Sequence, residues 1–150
     1  MSQPTVEALS AELVIYAGRL VRAVSRYTNQ ELPAATLRLL SQIDELGPST
    51  IGHLAEADRC RQPTMSNAVQ NLVDKGWASK QPNPDDARSS LVDLTPAGRT
   101  VLTEARRRNA GAVVQRLARV PDHDVDDLAR AVSLLKGLLD PTRPDQEGSK

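Results

Sequence analysis

Apolar or small residues recur at Val6, Leu9, Leu13, Tyr16, Leu20, Ala23 and Tyr27, in alternating steps of three and four. That spacing keeps one stripe of an α-helix facing one way, as in a coiled-coil seam. A second seam, Val125, Leu128, Val132, Leu135 and Leu139, follows Pro121 and the acid cluster from Asp122 to Asp127. Acids suit a helix N-terminus, where unpaired amides favour negative charge. Two long amphipathic terminal helices are therefore predicted. In a chain of 150 residues, two such seams exceed what one compact core needs to cover, so a bundle shared between two subunits is expected, with packing inside one subunit the alternative. Leu9, Leu13, Tyr16, Leu20, Val125, Leu128, Val132, Leu135 and Leu139 form the candidate dimer interface.

Between the ends the elements shorten. Pro33 can open a helix carrying Leu37, Leu40 and Ile43, with Leu39 and Leu46 broadening its apolar face, and Gly47-Pro48 stops it. Thr50 is placed to cap a short helix holding Ile51, Leu54 and Ala55. A third helix starts near Pro63, sets Met65, Ala68, Val69 and Leu72 on one side, and ends at Gly76. Two short helices joined by a few residues make a helix-turn-helix pattern.

After Gly76 the period changes. Trp77 to Gln81 and Leu91 to Leu94 are strand-like, and the segment Pro82 to Ser90 is dense in turn formers, which predicts a hairpin with a long tip. Thr95-Pro96 supplies a cap and a first-turn proline for a helix running to about Arg119. The tail from Thr142 to Lys150 is polar and aperiodic and is expected to be disordered. No internal repeat or low-complexity tract interrupts the chain. The expected fold is mainly α with a small β-hairpin wing (α+β): one domain, with a winged helix-turn-helix lobe over about 33–100 and dimerisation helices over about 5–32 and 101–141.

Composition narrows the function. With 39% apolar and 25% charged residues the chain can fold as an ordinary globular protein. No N-terminal basic-then-apolar stretch resembles a signal peptide, and no run of about 18 apolar residues can span a bilayer. A cytoplasmic protein with no membrane partner is expected. The single Cys60 cannot close an intramolecular disulfide and has no Cys or His neighbours at ligand spacing, so neither metal nor cofactor is expected. Net charge is zero, yet Arg19, Arg22, Arg26 and Arg38 cluster early and Arg106, Arg107, Arg108, Arg116 and Arg119 cluster late. Local basic faces on a neutral protein can still meet phosphates. Aromatic content of 2%, with no Phe, weakens a single-strand reading, because such binders rely on stacking platforms, and leaves duplex as the better substrate.

The helix from Pro63 to Lys75 carries the most informative face. Opposite Met65, Val69 and Leu72 stand Thr64, Ser66, Asn67, Gln70 and Asn71, with no acid until Asp74. A merely solvated face would favour Glu and Lys, which have better helix propensity than Asn, Ser and Thr. Asn and Gln can pair bidentately with adenine in the major groove, and Ser and Thr can touch base edges or phosphates; an ordinary polar face is the alternative. Arg59 and Arg61 lie in the turn just before this helix and Gln62 at its start, where side chains and backbone amides can meet a phosphate together. Simple solvation of the two arginines is the competing reading. Arg88, on the hairpin tip, can enter the narrow minor groove while Asp86 holds its guanidinium, with Lys80 and Ser89 flanking on phosphates.

These residues resemble the multiple antibiotic resistance regulator (MarR) family of winged-helix repressors over about Leu37 to Leu102. Leu54-Ala55-Glu56, Pro63-Thr64-Met65-Ser66 and Leu72-Val73-Asp74-Lys75-Gly76 resemble its helix-turn-helix. Pro84-Asp85-Asp86-Ala87-Arg88-Ser89 followed by Leu91-Val92-Asp93-Leu94-Thr95-Pro96-Ala97-Gly98 resembles its wing and wing exit, the most specific match in the chain. The resemblance implies a dimer held by the first and last helices, a recognition helix at Pro63 to Lys75, and a wing Arg88 braced by Asp86. It also implies a pocket between the dimerisation and DNA-binding parts, where small aromatic or phenolic acids bind and weaken DNA affinity. Two departures stand out: Asp58-Arg59-Cys60 replaces a common Leu-Gly-Val, and Asn67 replaces a common recognition-helix arginine, so operator preference does not transfer.

Other readings are weighed on the remaining residues. Cys60 suits a small packing residue in the turn, although Arg59 and Arg61 beside it allow a redox-sensing thiolate. Trp77 suits core packing, and His53 and His123 suit capping or solvation better than metal binding. The chain has no Walker, dinucleotide, nucleophile-elbow or zinc-protease motif, so an enzyme is not expected. A winged helix used only for protein contacts remains the competing class. The sequence therefore points to a duplex-DNA-binding transcriptional regulator, a ligand-responsive repressor acting as a homodimer on an inverted repeat.

Overall fold

The computed structural model describes residues 4–28 and 32–140, with the backbone alone at Tyr27 and Thr28. The expected tail at 142–150 and the seam side chain of Tyr27 lie outside the described residues. The order is α1 (Val6–Thr28), α2 (Ala34–Leu46), β1 (Ser49–Thr50), α3 (Ile51–Ala57), α4 (Gln62–Asp74), β2 (Ala78–Asn83), β3 (Asp86–Leu94), α5 (Pro96–Leu117) and α6 (Val125–Leu138). The chain divides after Val113 into two compact units.

Local chemistry sets the element ends in the first unit. Thr50 Oγ1 accepts from the His53 amide at 3.2 Å, capping α3. Thr95 Oγ1 does the same for the Gly98 amide at 3.1 Å, one residue before Pro96 opens α5. Both satisfy amides that a helix start leaves unpaired. Pro33 sits at the N-cap of α2 rather than inside its first turn. At the end of α4, Gly76 takes φ +72°; its amide donates to Val73 O at 2.9 Å and the Trp77 amide donates to Leu72 O at 2.9 Å. That left-handed cap turns the chain from α4 into the wing.

The sheet has strand order β1-β3-β2, all antiparallel. β1 was not foreseen, because two residues are too short to show a period of two. The hairpin corrects the expected long tip. Its strands run to Asn83 and from Asp86, leaving Pro84-Asp85 as the whole turn. Trp77 stands just before the first strand rather than in it. Turn-forming residues misled because Pro82 lies on edge strand β2, where a missing amide can cost no ladder bond. The pairing slips between Pro82, opposite Ser90, and Asn83, opposite Asp86. Ala87, Arg88 and Ser89 are thus surplus on β3, a bulge that bends the wing. Arg88 accordingly lies on one flank of the tip rather than at its apex.

One cluster forms the core, with Leu40, Ile43, Leu54, Val69, Leu72, Val92 and Leu102 fully buried. At about 25 cal/mol per Å² of apolar surface, each such side chain contributes roughly 1.5–3 kcal/mol. Met65, Val69 and Leu72 are buried as the spacing of α4 predicted, and Trp77 packs against the same cluster. Leu46 does not extend the apolar face of α2; it is 41% exposed, because the chain leaves the core at Gly47. Asp44 on α2 pairs with Arg99 at 3.1 Å and Arg106 at 2.9 Å, and Arg99 also pairs with Asp93, linking α2, β3 and α5.

In the second unit α6 starts at a reciprocal cap. Asp124 Oδ1 accepts from the Asp127 amide at 2.8 Å and Asp127 Oδ2 accepts from the Asp124 amide at 3.2 Å. No residue of α6 is buried. The seam residues Val125, Leu128, Val132, Leu135 and Leu139 are all exposed, as are Leu9, Tyr16 and Leu20 on α1, while Leu13 is half-buried. No helix among the described residues is long and apolar enough to cross a membrane.

Candidate nucleic-acid interface

Burial of Met65, Val69 and Leu72 fixes the rotation of α4. At 100° per residue, Pro63, Asn67, Gln70 and Asp74 then form the outward crest, and all four are exposed. Ser66 lies on the flank toward the wing, and Thr64 and Asn71 on the other. The first turn of α4 carries no acid, and its N-cap residue Arg61 makes no side-chain cap bond. Its leading amides therefore keep their donor character for an incoming anion.

Arg59, just upstream, holds φ +52°. Its amide donates to Glu56 O at 3.1 Å and the Cys60 amide donates to Ala55 O at 2.9 Å. This is the same left-handed helix ending seen at Gly76, built here on a residue with a Cβ. Cys60 is half-buried against the core, which fits the packing partner such a cap places beside the last turn. Asp58 is engaged by Arg38, with Nε to Oδ1 at 3.0 Å and Nη2 to Oδ2 at 3.5 Å.

The bulge on β3 is tied by its own polar groups. Asp86 Oδ1 accepts from the Arg88 amide at 2.9 Å, Asn83 Nδ2 donates to Ser89 Oγ at 2.9 Å, and Ser89 Oγ donates to Asp86 O at 3.3 Å. Asp86 therefore shapes the backbone beneath Arg88 instead of clamping the guanidinium as expected. The reason is local: a carboxylate two residues upstream reaches a backbone amide in a tight Asx turn before it can reach a long side chain. The Arg88 side chain is exposed, and among the described residues no ion pair holds it. Ser89, expected on a phosphate, works inside the wing.

A concave groove of about 760 Å³ runs between the start of α3, α4 and the hairpin. It gathers Gln62, Ser66, Lys80, Asp86, Arg88 and Ser89 on one wall or another. Gln62 leans over Gly52, whose Cβ position would be 3.1 Å from Gln62 Nε2. Lys80 crosses from β2 to α4 and donates to Gln70 Oε1 at 2.8 Å, and Gln70 Nε2 donates to Asp74 Oδ1 at 2.8 Å. Thr64 and Asn71 face away from this groove, into a second cleft of about 560 Å³ between α2 and α4 that Arg38, Leu39, Cys60 and Met65 also line. Spacing alone could not reveal that cleft, because it depends on how α2 meets α4. His53 lends only its amide to the α3 cap, and His123 Nδ1 lies 2.6 Å from Val120 O. No group of three or more His, Cys, Asp or Glu residues capable of holding a metal occurs among the described residues.

Comparison with known proteins agrees with this geometry. Residues 32–90, from just before α2 into β3, match the model of the MarR family. An HTH-type transcriptional regulator of Mycobacterium leprae is 31% identical over 134 residues, spanning 88% of this chain and 93% of that protein. A crystal structure of a mutant MarR from Escherichia coli superposes with a TM-score of 0.72 at 23% identity, covering 93% of this chain and 100% of the other. A mutant MarR from the same organism complexed with operator DNA is similar at a TM-score of 0.55 and 25% identity, over 85% and 96% of the two chains. From this similarity and the winged helix itself, the chain belongs to the MarR family of helix-turn-helix transcriptional regulators.

Proposed function

We propose that the protein binds duplex DNA as a homodimer, with α4 of each subunit in a major groove and each wing in the adjoining minor groove. The observation that carries this reading is the pairing of an exposed polar crest on α4 with the unpaired, exposed Arg88 on the β3 bulge. The complex of a similar MarR protein with operator DNA supports it. Arg59, Arg61, Lys80 and Arg88 supply phosphate or minor-groove contacts, and Asn67 supplies base contact. The exposed seams of α1 and α6 support homodimerisation, each being covered by the second copy. Winged-helix residues 33–100 form the DNA-binding lobe, and residues 5–32 and 101–141 the dimerisation helices. Two-fold symmetry then calls for an inverted repeat whose half-sites lie about 10 base pairs, or a multiple, apart.

We further read the protein as a cytoplasmic repressor released by a small aromatic or phenolic acid. The cleft beside Cys60 and Met65, at about 560 Å³, has the size of small-molecule sites, although it lies within the DNA-binding lobe, between α2 and α4, and not at its border with the dimerisation helices as the family resemblance implies. Release follows if the acid favours a dimer whose recognition helices no longer match the half-site spacing. The deciding experiment is enrichment of a random duplex library by the full chain, followed by affinity measurement at several salt concentrations. A two-fold symmetric motif and a steep salt slope are expected. No enrichment, or an Arg88→Ala variant that binds the enriched duplex as tightly as wild type, sinks the reading.

A further inference from the structure

The spacing of α4 made Gln70 a candidate base reader alongside Asn67. The side-chain geometry assigns the two amides different work. Gln70 Oε1 accepts from the Lys80 ammonium at 2.8 Å and Gln70 Nε2 donates to the Asp74 carboxylate at 2.8 Å. Lysine can only donate and an ionised carboxylate can only accept, so the two partners fix which end of the amide faces which way. Both bonds are charge-assisted. Bidentate reading of adenine uses the same oxygen and the same NH2 group; each keeps one free lone pair or N–H, but charged partners at both ends hold the amide in an orientation set by the protein.

The chain Lys80–Gln70–Asp74 also joins separate elements: Lys80 belongs to β2 of the wing, Gln70 and Asp74 to α4. Asp74 is the only acid on the outward crest, where its charge opposes phosphates. An amide N–H on its Oδ1 offsets part of that charge, and the ammonium beyond it offsets more. Lys80, held from β2 across to α4, stands at the rim of the groove that Arg88 also lines.

We propose that Gln70 is a positioning residue: it fixes the wing lysine at the groove edge and shields Asp74, leaving Asn67 as the amide of the crest that reads bases. The inference rests on α4 and the wing forming the DNA interface. It is tested on a duplex enriched from a random library by the wild-type chain and on every single-base variant of that duplex. Affinities are measured for wild type, Gln70→Ala, Lys80→Ala, the double variant and Asn67→Ala, each at several salt concentrations. All three positions are solvent-exposed, and thermal unfolding confirms that each variant is folded. Gln70→Ala is expected to weaken every duplex by one common factor and to lower the salt slope by about one unit, as Lys80→Ala does. The double variant should be no weaker than the Lys80 variant, and only Asn67→Ala should flatten preference at particular base pairs. A Gln70→Ala loss confined to one base pair, a loss that multiplies with that of Lys80→Ala, or no loss at all overturns the inference. Failure of the wild type to enrich any duplex overturns the DNA-binding reading beneath it.

Discussion

Gly98, in the first turn of α5, stands against the backbone of Trp77 so closely that a Cβ there would lie 2.0 Å from the Trp77 carbonyl oxygen. The same carbonyl accepts the Thr95 amide at 3.0 Å, and Thr95 Oγ1 donates to Gly76 O at 2.6 Å. Three bonds and contacts within four residues thus pin the start of α5 to the junction between recognition helix and wing. Gly98→Ala should therefore destabilise the protein by about 3 kcal/mol or more, because rigid backbone must move, and the roughly 1 kcal/mol gain in helix propensity does not offset it. Urea unfolding measures the change; a variant as stable as wild type would contradict a rigid backbone contact at this position.

Arg59 makes the opposite case. Its φ of +52° costs an L-residue about 1–2 kcal/mol, whereas Gly76 adopts the equivalent conformation in the second helix ending without a Cβ. Arg59→Gly should raise stability by about 0.5–1 kcal/mol, the relief of strain being partly offset by the greater freedom of glycine in the unfolded chain. If the arginine meets a phosphate, affinity for the enriched duplex should fall at the same time and the salt slope should drop. A stability loss on Arg59→Gly contradicts the strain argument, and unchanged DNA affinity removes Arg59 from the interface.

Asp86 separates two ways of bracing a wing arginine. Its Oδ1 holds the Arg88 amide at 2.9 Å, a bond that an asparagine side-chain oxygen can also accept. Asp86→Asn should therefore keep DNA affinity within a few-fold of wild type or improve it slightly by removing a negative charge. Asp86→Ala should lose affinity on a par with Arg88→Ala. Equal losses for the Asn and Ala variants would mean that the carboxylate acts through the guanidinium after all.

These cases also show what a linear reading can reach. Caps at Thr50 and Thr95, the acidic start of α6 and the buried face of α4 were legible, because each depends on residues a few positions apart; the reciprocal bonding of Asp124 and Asp127 was not. The wing was legible as a hairpin but not in its register, since Pro82 and the residues around it signal a turn whether or not an edge strand can accommodate them. β1 was invisible at two residues. The bond from Lys80 to Gln70, between residues ten apart on different elements, exists only once α4 and β2 are packed. For the same reason the spacing of α4 does not separate groove residues such as Ser66 from Asn71, which faces the opposite cleft.

The exposed seams yield the last expectation. The core cluster draws its residues from positions 32 to 105 and none from α1 or α6, so a charge placed on either seam should spare it. Leu128→Asp or Leu20→Asp puts two carboxylates into a two-fold interface, one from each copy. At a combined cost on the order of 3–5 kcal/mol, association weakens by about 150-fold to several thousandfold. Sedimentation at micromolar concentration should then report a monomer for each variant and a dimer for wild type. Trp77, the single tryptophan, packs against the core and should keep its emission, reporting that the winged helix remains folded. Ser133→Asp, on α6 but off the seam, should stay dimeric. Because each monomer can grip only one half-site, operator affinity of the seam variants should fall toward that of a half-site duplex. A seam variant that remains dimeric, with wild-type affinity, would place the dimer contact on some other surface and detach the inverted-repeat geometry from these helices.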